Sequence, residues 1–243
     1  MNSAVAIIPT RHAPGRSPAQ VLAAVGVEPR IVHALRSARE ARTVSHVIVV
    51  TDSPEVARIV ARDGGDCVMT PPAVASGLDR VAIVAQSLQC EIVVGLQGEE
   101  LLVDGEHIDR LVDALRRDTG ADIATMATTL ENESDVTDPN NVKVVVDDAG
   151  RALYFSRSPI PYRQQPTKLP IRKHIAVYAY RREALLRLAS LPPHPLEAAE
   201  GLEQLRALAH GMRVHVVTSD RGPTSARDAG GMLRGRERLS LMK

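Results

Sequence analysis

Short runs of branched apolar residues, each followed by a segment of helical periodicity, are the feature that most constrains the fold of this chain. Four such runs predict buried strands of a parallel sheet: Val5–Pro9, Val47–Thr51, Cys67–Thr70 and Ile92–Leu96. The segments between them predict helices over Ile31–Ala41, Glu55–Arg62 and Leu78–Leu88. Strands that alternate with helices in this way favour right-handed crossovers and an α/β fold with a mostly parallel sheet.

The pattern changes in the second half of the chain. A helix over Ile108–Leu115 and a strand over Asp122–Thr128 continue the alternation, but Val142–Val146 and Ala152–Ser156 flank a turn and predict an antiparallel hairpin. The remaining predicted elements are a strand over Ile175–Tyr180, one helix from Pro195 to His210, and a strand over Val214–Val217. Since no repeat or interdomain linker is evident, the sequence predicts a single domain over residues 1–243.

Composition and charge exclude several classes of protein. The 30 basic and 29 acidic residues give no global field for nucleic acid or an anionic membrane, and aromatic residues (2%) are too few for a base-stacking surface. No apolar run approaches the ~20 residues of a membrane span, and no signal-peptide pattern is present. Cys67 and Cys90 lie far apart and predict two buried thiols. These features predict a cytoplasmic protein that binds neither nucleic acid nor membrane.

The loop after the first strand carries the clearest signal of a ligand. Arg11 and Arg16 lie in a turn-rich segment shaped by Gly15 and prolines. Open α/β sheets bind ligands at the carboxyl ends of their strands, and arginine suits phosphate because its planar fork donates parallel hydrogen bonds. A solvated basic turn is the alternative. A dinucleotide-dependent dehydrogenase is excluded, because residues 13–18 lack the G-x-G-x-x-G pattern.

Several segments then occur together in a characteristic order: the opening loop over Thr10–Gln20, Gln97–Glu100, Asp138–Val145, Ala152–Arg157 and Pro195–Arg206. Across almost its whole length the chain resembles the CMP-Kdo synthetases, or 3-deoxy-manno-octulosonate cytidylyltransferases. The resemblance implies a Rossmann-like nucleotidyltransferase fold with an antiparallel hairpin extension. It further implies transfer of CMP from CTP to a sugar acid with release of pyrophosphate, usually by a homodimer with Mg²⁺. The hairpin, dimerisation and sugar-pocket subregion would span about residues 138–206.

The resemblance assigns roles to individual residues. Nucleotide binding is expected at Thr10, Arg11, Arg16, Ser76, Gly77 and Gln97. Catalytic roles are expected at Arg11, Arg16, Gln20 and Glu99. Contacts with the acceptor are expected at Arg157, His174, Glu200, Glu203, Gln204 and Arg227. Metal ligation is expected at Glu99 and Asp228. Alternatively, Glu200 and Glu203 form a solvated helix face and His174 is a strand-end histidine.

Departures from the family pattern cluster at the reaction centre. Gln20 stands where the family has a phosphate-neutralising lysine, and Glu99 where it has a metal-binding aspartate. Arg227 stands where the family has a second aspartate, with Asp228 one residue further along. An arginine at a metal-ligand position inverts the local charge, which opposes Mg²⁺ and favours an anion.

Two hypotheses therefore stand. The first is a cytidylyltransferase that transfers CMP to a small acidic acceptor, either a sugar acid such as Kdo or a phosphonate. The second is a diverged homologue that does not transfer CMP: it binds a nucleotide or nucleotide-sugar as a regulatory or partner protein, or catalyses different chemistry on it. The first is favoured, because the arginines and the acceptor-pocket residues are retained.

Overall fold

The computed structural model describes residues 3–10, 24–25, 28–74, 76–96, 101–165, 167–219 and 224–225. The described residues fall into two compact units. The first lies within residues 1–109 and 223–243, and the second within residues 110–222. Each unit has its own buried apolar core.

In chain order from the N-terminus, the first group of elements is β1 (Ala4–Pro9), β2 (Ala24–Val25), β3 (Glu28–Pro29), α1 (Arg30–Arg39), β4 (Val44–Thr51), α2 (Pro54–Arg62), β5 (Asp66–Met69), α3 (Gly77–Ala85), β6 (Ile92–Leu96), β7 (Leu101–Leu102) and α4 (Gly105–Arg117). In the first unit, β1 pairs in parallel with both β4 and β6, and β4 pairs in parallel with β5. The strand order β6-β1-β4-β5 agrees with the predicted parallel sheet, whose continuous apolar runs are buried.

The following elements are β8 (Ile123–Leu130), α5 (Glu133–Thr137), β9 (Lys143–Val146), β10 (Ala152–Ser156), β11 (Ile171–Arg181), α6 (Arg182–Ser190), α7 (Pro195–Glu200), α8 (Gln204–Ala209), β12 (Val214–Thr218) and β13 (Thr224–Ser225). In the second unit, β9 pairs antiparallel with β10 and with β11, which also pairs antiparallel with β8. Strand β12 pairs with β8 in parallel. The predicted class, α/β with a mostly parallel sheet and an antiparallel hairpin, is confirmed.

Strand β11 contains a bulge opposite β8. Ile175 pairs with Met126, whereas Tyr178 pairs with the adjacent Thr125, so β11 has two more residues than β8 at this point. The Thr125 hydroxyl lies 2.8 Å from the Val177 carbonyl oxygen and 3.3 Å from that of Ile175. This side chain therefore donates its one hydrogen to the main chain of the bulge, where the regular ladder is interrupted.

A buried ion pair anchors α3 within the first unit. Arg80 Nη2 lies 2.7 Å from Asp52 Oδ2, and the two side chains are only 1% and 3% exposed. Arg80 also donates to the Thr70 hydroxyl. Asp52 follows β4 and Thr70 follows β5, so one guanidinium ties the helix to the carboxyl ends of two strands. A buried charge of this kind is stable only while its partner is present.

Some predicted elements differ from the structure. The single helix over Pro195–His210 is wrong: two short helices meet at Gly201, whose φ of +64° ends α7 in the left-handed region. Helix α6 was not predicted, and β11 begins at Ile171 rather than Ile175. Cys67 and Cys90 are half-buried rather than buried. Within the described ranges, every helix is too short or too polar to cross a bilayer.

Candidate functional site

Three of the residues expected to bind nucleotide lie in the described part of the first unit, at the carboxyl end of β1. Thr10 follows β1, is 2% exposed, and donates its main-chain N–H to the Val50 carbonyl oxygen over 2.7 Å. Gly77 lies beside Pro9, because a Cβ built on it would be 3.6 Å from the proline Cγ.

Ser76 begins helix α3 next to this strand end. Its Oγ accepts a hydrogen bond from the main-chain N–H of Asp79 over 3.1 Å, so the side chain caps the helix. The remaining N–H groups of the first turn and the positive end of the helix dipole suit an anion such as phosphate. Thr10, Ser76 and Gly77 thus meet at one edge of the parallel sheet.

Arg157 and Glu200 form the centre of a polar cluster in the second unit. One carboxylate oxygen of Glu200 accepts from the Ser156 hydroxyl over 2.6 Å, and the other accepts from the Arg157 main-chain N–H over 2.9 Å. Arg157 Nε donates to the Glu200 carbonyl oxygen over 2.7 Å, and Nη1 donates to the Pro139 carbonyl oxygen over 3.0 Å. Helix α7 and strand β10 are therefore joined by both the side chain and the main chain of Glu200.

The guanidinium of Arg157 has N–H groups that its hydrogen bonds to described residues do not use. It has five N–H groups, and its hydrogen bonds to described residues use one on Nε and one on Nη1. Its Nη2 lies next to the end of α7, where a Cβ at Gly201 would be 3.9 Å away. One N–H group on Nη1 and two on Nη2 thus remain for an oxyanion.

Lys143 lies behind this arginine and is completely buried. Its Nζ donates to the Asp138 carbonyl oxygen over 3.1 Å and to the carbonyl oxygen of Arg157. Desolvation by burial lowers the pKa of the ammonium, an effect that the nearby Asp138 and Glu200 oppose. The polar cluster thus places two cations, Lys143 and Arg157, beside two carboxylates.

His174 is buried, at 6% exposure, among aromatic rings of the second unit. Its ring lies 4.9 Å from that of Phe155 and 5.4 Å from that of Tyr178, centre to centre. Its Nε2 is 2.9 Å from the Thr125 hydroxyl. Because that hydroxyl gives its one hydrogen to a carbonyl of the β11 bulge, it accepts from Nε2–H, and this assigns the neutral Nε2-protonated tautomer.

Burial lowers the pKa of His174 to about 3, so stability should depend on pH. The unfolded side chain takes up a proton near pH 6.5, whereas the folded one stays neutral until about pH 3. The contribution of His174 is therefore complete above pH 6.5 and is lost as the pH falls below it.

Between pH 7.5 and pH 5, we expect the difference in free energy of unfolding between wild type and His174→Gln to shrink by about 2 kcal/mol. Glutamine keeps a donor near the position of Nε2 but does not titrate. Urea denaturation at the two pH values measures this, with the exposed His46 replaced by glutamine as the control. A difference that stays constant with pH would contradict the prediction.

Glu203 and Gln204 begin helix α8. Gln204 is buried, and Glu203 is half-buried near Tyr180, where burial, the neighbouring Tyr178 and the Glu203 charge together raise the pKa of the phenol. Glu197, on the preceding helix, instead accepts from Arg206 Nε over 2.8 Å. The side chains of Arg206 and Glu197 are 9% and 12% exposed, respectively. This buried ion pair makes the glutamate structural rather than available to a ligand.

The other predicted site residues lie outside the described residues: Arg11, Arg16, Gln20, Gln97, Glu99, Arg227 and Asp228. Described strands follow Gln97 and Glu99 in the sequence and precede Arg227 and Asp228. In these strands Leu101 pairs with Ser225 and Leu102 with Thr224, forming the β7–β13 ladder. In sequence, Leu101 is two residues from Glu99 and Ser225 is three residues from Asp228. Within the described ranges, no three His, Cys, Asp or Glu side chains are grouped to hold a metal ion.

Two residues of the polar cluster were not predicted as site residues. Ser156 immediately precedes Arg157, and Lys143 lies within the Asp138–Val145 segment that supports the family resemblance. The resemblance marked both segments, but only the fold shows that they meet through the Glu200 carboxylate and the Arg157 carbonyl.

Comparisons with known proteins identify the family of the chain. The family model described as "Cytidylyltransferase" matches residues 5–214. The 3-deoxy-manno-octulosonate cytidylyltransferase of Chlorobium chlorochromatii (strain CaD3) is 41% identical over 225 residues, or 91% of both chains. The enzyme of that name from Geobacter sulfurreducens is 39% identical over 87% of this chain and 89% of its own.

Solved structures extend the similarity to the fold. A CMP:2-keto-3-deoxy-manno-octonic acid synthetase in complex with CTP superposes with a TM-score of 0.87 at 32% identity, covering 99% of each chain. A 4-diphosphocytidyl-2C-methyl-D-erythritol synthase from Anaerococcus prevotii DSM 20548, at 12% identity and a TM-score of 0.63, shares the fold over 96% of this chain and 99% of its own. The chain belongs to the cytidylyltransferase family and, within it, to the CMP-Kdo synthetases.

Proposed function

We propose that this protein transfers CMP from CTP to 3-deoxy-manno-octulosonate or a closely similar sugar acid, with release of pyrophosphate. The observation that carries the proposal is the whole-chain similarity to a synthetase whose structure contains CTP. Relatives about 40% identical over most of both chains bear the name of the same activity. Attack of a sugar hydroxyl on the α-phosphorus requires mainly positioning and neutralisation of charge.

The nucleotide would bind at the edge of the parallel sheet in the first unit. Thr10, Ser76 and Gly77 frame this edge, and the N-terminus of α3 contributes N–H donors beside it. Arg11 and Arg16 would neutralise the triphosphate, with Gln20 as a neutral donor and Gln97 under the reacting phosphate.

The acceptor would bind at the polar cluster of the second unit. The N–H groups that Nη1 and Nη2 of Arg157 keep beyond their bonds to described residues match a carboxylate. Glu200 orients the arginine through its main chain. His174, Glu203 and Gln204 of the same unit would complete the pocket, with the neutral His174 ring held by Thr125.

We propose that transfer requires a metal ion held by the predicted carboxylates. We assign one Mg²⁺ to Glu99 together with Asp228, where it would neutralise phosphate charge when bound. Arg227 supports the second candidate function, a homologue that binds nucleotide without transferring it, because its charge opposes a metal there. The two functions differ in whether pyrophosphate is released.

Leu153 is 62% exposed and Tyr162 is 88% exposed, and both lie in the subregion of about residues 138–206 in which dimerisation is expected. A second copy would bury these side chains, and we propose a homodimer and a cytoplasmic location. A sedimentation equilibrium mass of one chain would contradict it.

Release of pyrophosphate is the direct test of transfer. We expect CTP-dependent release with 3-deoxy-manno-octulosonate and Mg²⁺, and none without the acceptor. A phosphonate and other sugar acids form the second arm of the assay. In parallel, CTP is titrated with Mg²⁺ and with EDTA against wild type and Arg227→Asp. No release with any acceptor, together with CTP binding that survives EDTA, would establish the binding protein instead.

A further inference from the structure

Lys143 is a buried cation to which the proposed function gives no role. It is one of only four lysines in the chain, and its side chain is completely buried. Desolvation of an ammonium is costly. The hydrogen bonds that Lys143 donates to the carbonyl oxygens of Asp138 and Arg157 compensate for it in part. A fully buried apolar residue would fill the same space without this cost, so the charge itself needs an explanation.

The two carbonyl groups that Lys143 binds belong to Asp138 and Arg157, and their positions explain the buried charge. Lys143 binds the carbonyl of Asp138, and Arg157 Nη1 binds the carbonyl of the next residue, Pro139. Lys143 also binds the carbonyl of Arg157 itself. The lysine therefore fixes the main chain of Arg157 and the loop against which the Arg157 side chain rests.

Charge acts in the same direction. Asp138 and Glu200 both lie close enough to Lys143 to oppose the lowering of its pKa, and Glu200 also binds the Arg157 main-chain N–H over 2.9 Å. These two carboxylates balance the charges of Lys143 and Arg157. The acceptor carboxylate would therefore be held by charged hydrogen bonds from the N–H groups of Arg157 that described residues leave unused.

We propose that Lys143 is a positioning residue for the acceptor: it fixes the main chain of Arg157 so that these N–H groups of the guanidinium meet the acceptor carboxylate. The inference rests on the proposed function. It also gives a role to the Asp138–Val145 segment. This segment supports the family resemblance, but none of the catalytic or binding assignments falls within it.

The test is Lys143→Met, which keeps the length and packing of the side chain but removes its donors and its charge. We expect the KM for 3-deoxy-manno-octulosonate to rise about tenfold while the KM for CTP changes less than about twofold. Lys173→Met is the matched control, since Lys173 pairs with Lys143 in the β9–β11 ladder and is only half-buried. It should leave both constants unchanged.

A double mutant separates positioning from a general loss of stability. If Lys143 acts through Arg157, Lys143→Met should add little to the KM increase caused by Arg157→Lys. If Lys143 had a purely structural role, the factors by which the two substitutions raise the KM would multiply in the double mutant. Lys143→Gln retains two N–H donors and serves as the second variant where the methionine variant does not fold. It should raise the acceptor KM by a smaller factor.

The outcomes distinguish this inference from the proposed function. Absence of turnover by the wild type with 3-deoxy-manno-octulosonate would overturn the proposed function. The inference is then decided by calorimetric titration of the same acid, for which Lys143→Met should weaken binding about tenfold. Wild-type turnover with an unchanged acceptor KM in both Lys143 variants would overturn the inference alone, as would equal increases in the KM for acceptor and for CTP.

Discussion

Replacement of Arg80 by methionine is expected to lower the free energy of unfolding by about 3–5 kcal/mol. The change leaves the Asp52 carboxylate, whose side chain is 3% exposed, without its cation, and it removes a donor to Thr70. It also releases helix α3 from the ends of two strands. Chemical denaturation at neutral pH measures the loss.

Arg42 supplies the matched control for this experiment. It also forms an ion pair, with Nε 3.1 Å from Asp109, but its side chain is 88% exposed. Arg42→Met should change stability little, because the Arg42 charge lies in solvent and the buried Asp109 keeps its hydrogen bonds from the Thr43 main-chain N–H and hydroxyl. Asp52→Asn in the Arg80→Met background should recover part of the loss, because the carboxylate charge that Arg80 balanced is then removed as well. A loss in Arg80→Met no larger than that in Arg42→Met would contradict the prediction.

The largest effect on activity is expected at Arg157. Arg157→Met removes the N–H groups that we assign to the acceptor carboxylate, together with the bonds to the Glu200 and Pro139 carbonyl groups. We expect kcat/KM for 3-deoxy-manno-octulosonate to fall about 100-fold or more, because both a charged hydrogen-bond pair and the orientation of the acceptor are lost. Steady-state kinetics with the acceptor varied at saturating CTP measures it.

Binding of CTP should not change in the same variant, because the nucleotide is assigned to residues of the first unit. Calorimetric titration of CTP therefore serves as an internal control. Arg187→Met is the matched substitution: Arg187 is also in the second unit, is 55% exposed, and lies 3.5 Å from Asp122. An equal loss of CTP affinity in Arg157→Met would place this arginine in the nucleotide site instead.

The parallel half of the fold could be predicted from the sequence because its strands are continuous apolar runs and its helices have clear start signals. At the start of α2, Ser53 accepts from the Val56 N–H and Pro54 is the first helical residue, both of which are common helix-start signals. Helix α6 was missed because it follows β11 without a capping side chain. The break at Gly201 was missed because apolar periodicity continues across it, whereas a single left-handed residue redirects the chain.

The candidate site was predictable only in part, for a different physical reason. Local sequence marks arginines and carboxylates but not which main-chain groups they bind. Glu197 and Glu200 lie three residues apart on the same short helix, yet one binds Arg206 and the other binds Ser156 and the Arg157 main chain. The role of Lys143 depends on carbonyl groups, which every residue possesses, so no residue pattern could indicate it.

The bulge in β11 limits the kinds of mutation that the family can accept at this place. It contains two extra residues, an even number, so His174 and Tyr178 stay on the same face of the strand and their rings remain in contact. Deletion or insertion of one residue would turn every later side chain of β11 to the opposite face. Substitutions at Ala176, which is not fully buried, leave that alternation intact. Natural variation here should therefore occur by replacement of residues and hardly ever by a change in chain length.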